Sequence, residues 1–155
     1  MPGQIDARLK ELGITLPTPM PPIANYVPYV ITGNLVVISG QVPAVDGKIA
    51  ITGKVAAGLS IEQGQAAARQ CFVNVLAHLK VACGGDLDRV KQVVRLGGFV
   101  ASPPEFTQHA QVMNGASDLA VAVFGDAGRH ARTTIGVPSL PADAAVEVEG
   151  MFRIA

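Results

Sequence analysis

Charge is scarce in this chain of 155 residues, of which only 15% are Asp, Glu, Lys or Arg, against about 25% in a typical soluble domain. Hydrophobic side chains make up 49%, too many for so little charge to cover in a single globule, so part of the apparent outside is expected to be covered by a partner. A surplus of either sign is missing as well. Twelve basic residues balance twelve acidic ones, and no basic tail or stripe is present. That argues against nucleic acid as a partner, because phosphate binding draws on excess Lys and Arg. Neutral charge with high hydrophobicity also excludes a disordered chain, and the length is that of one domain.

Long apolar runs are absent too. Charges at Asp6, Arg8, Lys10 and Glu11 interrupt the stretch where a signal peptide needs an apolar segment. From Glu11 to Asp46 no charge intervenes, but six prolines do (Pro17, Pro19, Pro21, Pro22, Pro28 and Pro43), which excludes a membrane-spanning helix. The two cysteines, Cys71 and Cys83, fall in one expected helix, about 18 Å apart at 1.5 Å per residue, beyond the roughly 7 Å that a disulfide tolerates. Free thiols fit a reducing setting, so the cytoplasm is the expected location.

What is present reads as an α+β domain behind a short arm. Residues 5–12 pattern as an amphipathic helix stopped by Gly13, and Leu16 to Pro22 must be extended. Residues 1–22 thus form an N-terminal helix and Pro-rich arm, and 23–155 a single domain. Tyr26 to Thr32 and Asn34 to Ser39 read as two strands about a Thr32-Gly33 turn. A further short strand is expected within Lys48 to Val55. Ser60 with Gln63 makes a capping box, opening a helix to about Ala82 with Ala68, Phe72, Val75, Leu79 and Ala82 on one stripe and Gly84-Gly85 as its stop. Arg89 to Ser102 reads as a strand with Val94, Leu96, Gly98 and Val100 on one face and Arg95, Gly97 and Phe99 on the other; the adjacent glycines predict a bulge or a close approach. A second helix is expected to begin at Pro103-Pro104, with Phe106, Ala110, Met113, Ala120 and Phe124 as its stripe. Ala131 to Val137 and Ala145 to Ile154 complete a mixed sheet with both long helices on one face. No helix is left for the other face, so a second subunit is expected to cover it.

Several motifs fail. Gly47 and Gly53-Lys54 have the wrong spacing for a phosphate-binding loop, and Val55 follows where Ser or Thr is needed. The glycine pairs at 84 and 97 lack the strand-to-helix setting of a dinucleotide site. His78, His109 and His130 have no metal-ligand spacing, and each reads as a packing or surface residue. Cys71 and Cys83 read as buried structural thiols, and no Ser lies in a nucleophile elbow.

A more specific pattern runs through His130-Ala131-Arg132-Thr133-Thr134-Ile135, then Leu140-Pro141, then Val146-Glu147-Val148-Glu149. Upstream, Tyr26 stands eight residues before Asn34 in Gly33-Asn34-Leu35-Val36-Val37-Ile38-Ser39-Gly40-Gln41. Together these segments, spanning Ile23 to Ile154, resemble the Rid family, also called YjgF-like. Ala24-Asn25 in place of the family's Gly-Pro, Thr134 in place of its Cys, and a longer Val42 to Ser60 segment mark a divergent branch.

The resemblance implies a chorismate-mutase-like fold assembled as a homotrimer, with clefts between subunits. It implies hydrolysis of imine and enamine intermediates of 2-amino acids to 2-keto acids and ammonia, without a cofactor and without a metal. Arg132 matches the family's carboxylate anchor, and a guanidinium fork suits the carboxylate of an imino acid. Glu147 matches the acidic position that would orient water; Glu149 has the same strand parity and competes with it. Tyr26, Ser39, Gly40 and Asn114 match further substrate contacts, and Thr134, at the position of the family's Cys, is expected to be another. Read singly, Arg132 is a surface strand residue, the two glutamates the wet side of an edge strand, Tyr26 interface packing, Asn114 a polar helix residue and Ser39 a buried hydroxyl. A non-catalytic trimer binding small carboxylates is the alternative function, with an endoribonuclease third.

Overall fold

Burial that alternates along the strands fixes which side of the sheet each residue serves. The computed structural model describes residues 3–19, 21 and 24–155. In chain order the elements are α1 (Gln4–Glu11), β1 (Tyr29–Thr32), β2 (Leu35–Gln41), β3 (Ala44–Val45), β4 (Lys48–Ile49), β5 (Lys54–Val55), β6 (Gly58–Leu59), α2 (Ile61–Ala82), β7 (Val90–Ala101), α3 (His109–Phe124), β8 (Ala131–Val137) and β9 (Val146–Ile154). Five strands make a mixed sheet in the order β1-β2-β9-β7-β8, antiparallel except for the β7–β8 pair. A parallel pair requires a crossover, and α3 supplies it.

The strictest alternation is in β9, where Val146, Val148, Gly150, Phe152 and Ile154 are buried while Glu147, Glu149, Met151 and Arg153 lie on the opposite side. The buried side faces the helices. Helix α2 lies over β2 and β9, and α3 over β7 and β8. The α2 stripe expected from spacing is buried throughout, and Phe72 from it meets Phe152 of β9 at 6.5 Å between ring centroids. The Ser60 capping box forms in both directions, the Gln63 backbone N–H donating to Ser60 Oγ at 3.1 Å and the Ser60 backbone N–H to Gln63 Oε1 at 2.8 Å. The two long helices touch at Gly115, where a Cβ would meet the Gln65 carbonyl.

Helix α1 packs outside α3. Its free N-terminal donors, the backbone N–H groups of Gln4 and Ile5, reach the Asp88 carboxylate at 2.9 Å each, Asp6 pairs with Lys80 at 3.0 Å, and Leu9 is buried. Among the described residues the opposite sheet face therefore carries no helix. Val30, Val37, Met151 and Arg95 are aligned across it, and beside them run Glu149, Gly97 and Thr133, then Glu147, Phe99 and Ile135. Val30 and Ile135 are each about half exposed, at 52% and 49%.

The structure revises several expectations. The first strand begins at Tyr29 rather than Tyr26, after Pro28, which has no N–H for a ladder. Lys48 to Val55 is not one strand: Lys48–Ile49 pairs with Ala44–Val45 and Lys54–Val55 with Gly58–Leu59, the run being broken by Gly53 at φ 103°. Pro103-Pro104 does not open α3. The helix starts at His109, after a turn in which the Phe106 N–H bonds to the Pro103 carbonyl, and Phe106 packs edge-on to His109 at 5.1 Å. The buried face of α3 runs through Val112, Met113, Ala116, Leu119, Ala120 and Val123, and Ala110 is exposed. In β7 the register shifts between Val93 and Arg95. This bulge turns Val94 outward and puts Val93 on the core face with Leu96, Gly98 and Val100. Of the two outcomes expected for the glycine pair, the close approach occurs, with Met113 over Gly98 and Glu149 over Gly97. Of the expected extended arm, Leu16 to Pro19 and Pro21 have no helix or strand, while Met20, Pro22 and the proposed boundary at 22/23 lie outside the described residues.

Candidate active site

Arg132 sits on the helix-facing side of β8, level with Leu96 of β7. Its Nη1 donates to Asn114 Oδ1 at 2.8 Å and to Ser117 Oγ at 3.1 Å, and its Nη2 reaches the Ala110 carbonyl at 3.4 Å. A guanidinium has five N–H donors. Among the described residues, the Nε–H and one Nη2–H have no acceptor, and the Nε–Nη2 edge is the one that grips a carboxylate with two parallel bonds. Asn114 turns its oxygen to Arg132, which leaves its amide N–H groups without a described acceptor.

Thr134, two residues along the same strand face, adds a group without a partner. Its hydroxyl oxygen is shut off from solvent and has no hydrogen-bond partner among the described residues. Buried polar atoms are nearly always bonded, so this hydroxyl, on the strand face that carries Arg132, is an exception without a partner among the described residues. Arg132, Asn114 and Thr134, three of the predicted site residues, thus share the β8–α3 seam.

Glu147 belongs to the other side of the sheet. It pairs across to Phe99, and β9 alternation places it on the helix-free face with Glu149. Its neighbour is Gly40, where a Cβ would run into the Glu147 carboxylate; only glycine leaves that carboxylate its place. Burial, and secondarily the charge of Glu149, raise the pKa of Glu147 from its ordinary value. Glu149 itself pairs with Arg95 at 3.5 Å, so Glu147 is the less compensated of the two. The β2–β9 register slips between Ile38 and Gln41, which takes Ser39 and Gly40 out of the regular ladder. The Ser39 hydroxyl donates to the Val27 carbonyl at 2.8 Å, and its N–H to that of Pro28 at 2.9 Å. These bonds tie the segment carrying Tyr26 to the bulge. Tyr26 lies before the strand and is 52% exposed.

The seven predicted residues therefore fall into two groups in one chain: Arg132, Asn114 and Thr134 in the seam, and Glu147, Gly40, Ser39 and Tyr26 around the β2 bulge. A cavity of about 480 Å³ adjoins the second, walled by Tyr26, Pro28, Gly40 and Gln41 together with Asn74 and His78 of α2. His78 is almost fully buried, and burial lowers its pKa. A cavity of about 830 Å³ between α1, the arm and the end of α2 contains none of the predicted residues. Cys71 is buried beneath β9, with its thiol against the Val146 carbonyl at 3.4 Å. Burial first, then the Glu147 charge, push that thiol well above its ordinary pKa, so it is a packing group rather than a nucleophile. No cluster of metal-ligating side chains occurs among the described residues, nor does any described helix have the length and apolarity to cross a membrane.

Sequence reasoning missed Ser117 and His130 as parts of the site. The His130 Nδ1 lies 2.6 Å from the Gly128 carbonyl and its Nε2 lies 2.9 Å from Ser117 Oγ. The signal was available, since Ser117 follows Asn114 by three residues on a helix and His130 precedes Arg132 by two on the way into a strand, spacings that keep side chains on one face.

A family model described as "YjgF/chorismate_mutase-like, putative endoribonuclease" matches residues 6–152. The chain belongs to the YjgF-like family. Protein TCP17 of Trypanosoma cruzi is 48% identical to this YjgF-like chain over 153 residues, which cover 98% of this chain and 95% of that protein. The crystal structure of Atu1372 from Agrobacterium tumefaciens, a protein of unknown function, is similar with a TM-score of 0.92 at 49% identity, over 97% of this chain and 92% of that one. A Shewanella oneidensis structure carrying the endoribonuclease designation matches with a TM-score of 0.94 at 35% identity, over 98% of this chain and 100% of that one.

Proposed function

We propose that this YjgF-like chain hydrolyses 2-imino acids and their enamine tautomers to 2-keto acids and ammonia, at clefts assembled between the subunits of a homotrimer. The observation that carries this reading is the guanidinium of Arg132, fixed from α3 through Nη1, with donors to spare at Nε and Nη2, on the strand face that also carries the unpaired Thr134 hydroxyl. A 2-imino acid offers that edge its carboxylate, which sets the adjacent C=N carbon at a fixed distance. Water adds to this carbon, and its proton passes to a base. The resulting carbinolamine, protonated on nitrogen, expels ammonia and becomes the keto acid. Glu147, whose pKa is raised by burial, is the carboxylate suited to take and return such a proton.

Arg132 and Glu147 face opposite sides of one sheet, so a common site takes Arg132 from one copy and Glu147 from another. The uncovered sheet face, with Val30, Val37, Phe99, Met151 and Ile135 along it, supports packing against further copies. The test generates 2-iminopropanoate with an amino-acid oxidase and traps what remains with semicarbazide. The protein should hasten loss of the imine, and Arg132→Ala should abolish the effect. No acceleration, or equal acceleration by Arg132→Ala, overturns the reading.

The endoribonuclease designation of the relatives motivates a second reading, that the chain cleaves RNA. The balance of twelve basic and twelve acidic residues weighs against it. RNA cleavage by purified protein that falls steeply with salt and disappears in Arg132→Ala would favour it over the deaminase.

A further inference from the structure

The chain from Gly128 through His130 and Ser117 to Arg132 is continuous, and its proton directions follow from chemistry. A carbonyl only accepts, so the 2.6 Å contact with the Gly128 oxygen puts the proton of the imidazole on Nδ1. In the neutral ring Nε2 then accepts, and the Ser117 hydroxyl 2.9 Å away donates to it. With its hydrogen committed, Ser117 Oγ presents only lone pairs to the Nη1 of Arg132 at 3.1 Å. Asn114 Oδ1 takes the other Nη1 hydrogen at 2.8 Å. A serine free to rotate could point its hydrogen at the guanidinium and repel it; the imidazole removes that choice.

We infer that Ser117 and His130 are positioning residues for Arg132, a brace that turns the open Nε–Nη2 edge toward the ligand carboxylate. Ser117 reaches the inner side of the guanidinium, away from the edge that would hold a carboxylate, so it acts through Arg132. The inference rests on the reading of Arg132 as carboxylate anchor, but the brace is measurable without a ligand. It also explains why two polar side chains come together at a half-buried helix–strand seam, where apolar packing would be the simpler solution.

Two measurements on the full-length protein test it. The first follows the Nη nitrogens of Arg132 by NMR of ¹⁵N-labelled protein. In the wild type they should give two separate signals, because rotation of the guanidinium is restrained, with His130 in the Nδ1–H form. Ser117→Ala and His130→Phe should speed Nη exchange roughly ten-fold, as expected for the loss of a charge-assisted bond, and Ser117→Thr should restore the wild-type spectrum. The second is calorimetric binding of 2-oxobutanoate, which Ser117→Ala should weaken about ten-fold and Ser117→Thr should return to near the wild-type value. Melting curves check that each variant folds, and Ser117→Ala carries the test alone should His130→Phe fail to fold. Averaged Nη signals in the wild type, or separate ones retained in Ser117→Ala, overturn the brace, as does wild-type affinity in Ser117→Ala when Arg132→Ala has lost it. Absence of binding by the wild type overturns the anchor reading, and the nitrogen spectra then decide the brace by themselves.

Discussion

Thr134 pairs poorly with its surroundings, and that makes it informative. Replacing it with Val keeps the shape and removes the unpaired hydroxyl, so Thr134→Val should raise unfolding stability by about 1 kcal/mol in urea titration while weakening 2-oxobutanoate binding. A hydroxyl that served only the fold would give the opposite sign. Glu147 makes a second prediction. Its folded-state pKa lies above the unfolded value, chiefly through burial. The folded state therefore holds the proton more tightly, and the chain loses stability as pH rises through the carboxylate range. Glu147→Gln should accordingly melt higher than the wild type at pH 7, with the gap closing as the pH falls below that range. The candidate residues could be named from motif spacing, because Arg132, Glu147 and Gly40 stand in short segments. Their distribution over two faces could not be read from it, because it depends on strand order: β9 enters the sheet between β2 and β7 rather than beside β8, and no local pattern encodes that insertion.

Among the elements, α2 was readable from end to end because its signals are local: a capping box, a stripe at helical spacing and a pair of glycines. Ser60→Ala should cost about 1 kcal/mol in thermal or chemical unfolding, since both bonds of the box are formed. Gly115→Ala is more severe than its helix propensity would imply, because the added methyl meets the backbone of α2 rather than a movable side chain; a loss of roughly 1–3 kcal/mol is expected by the same measurement. The start of α3 and the face of Val94 were misread for a shared reason. Pro103-Pro104 can open a helix, and alternation continues through Val94 on paper, but tertiary packing decides both. Burial of Phe106 takes up the residues before His109, and the bulge near Val93 moves one residue out of phase.

For the whole molecule, the scarcity of charge finds its place on the sheet face that α2 and α3 leave bare. Apolar side chains run along that face between the glutamates, and the same face carries Glu147, while Arg132 lies in the seam on the other side. Composition raised the expectation of a covered surface, and the fold shows which sheet face is left bare. On the proposed function the homotrimer is part of the chemistry, since each copy holds the anchor and the acid–base group on opposite sides of its sheet, where they cannot meet on one substrate. Subunit mixing tests this most directly. Arg132→Ala and Glu147→Gln should each be inactive on 2-iminopropanoate, and the two, unfolded together and reassembled in equal amounts, should recover about a quarter of wild-type activity, because random threefold rings then contain that share of sites with both native residues. No recovery from a mixture that reassembles fully would contradict a site shared between copies.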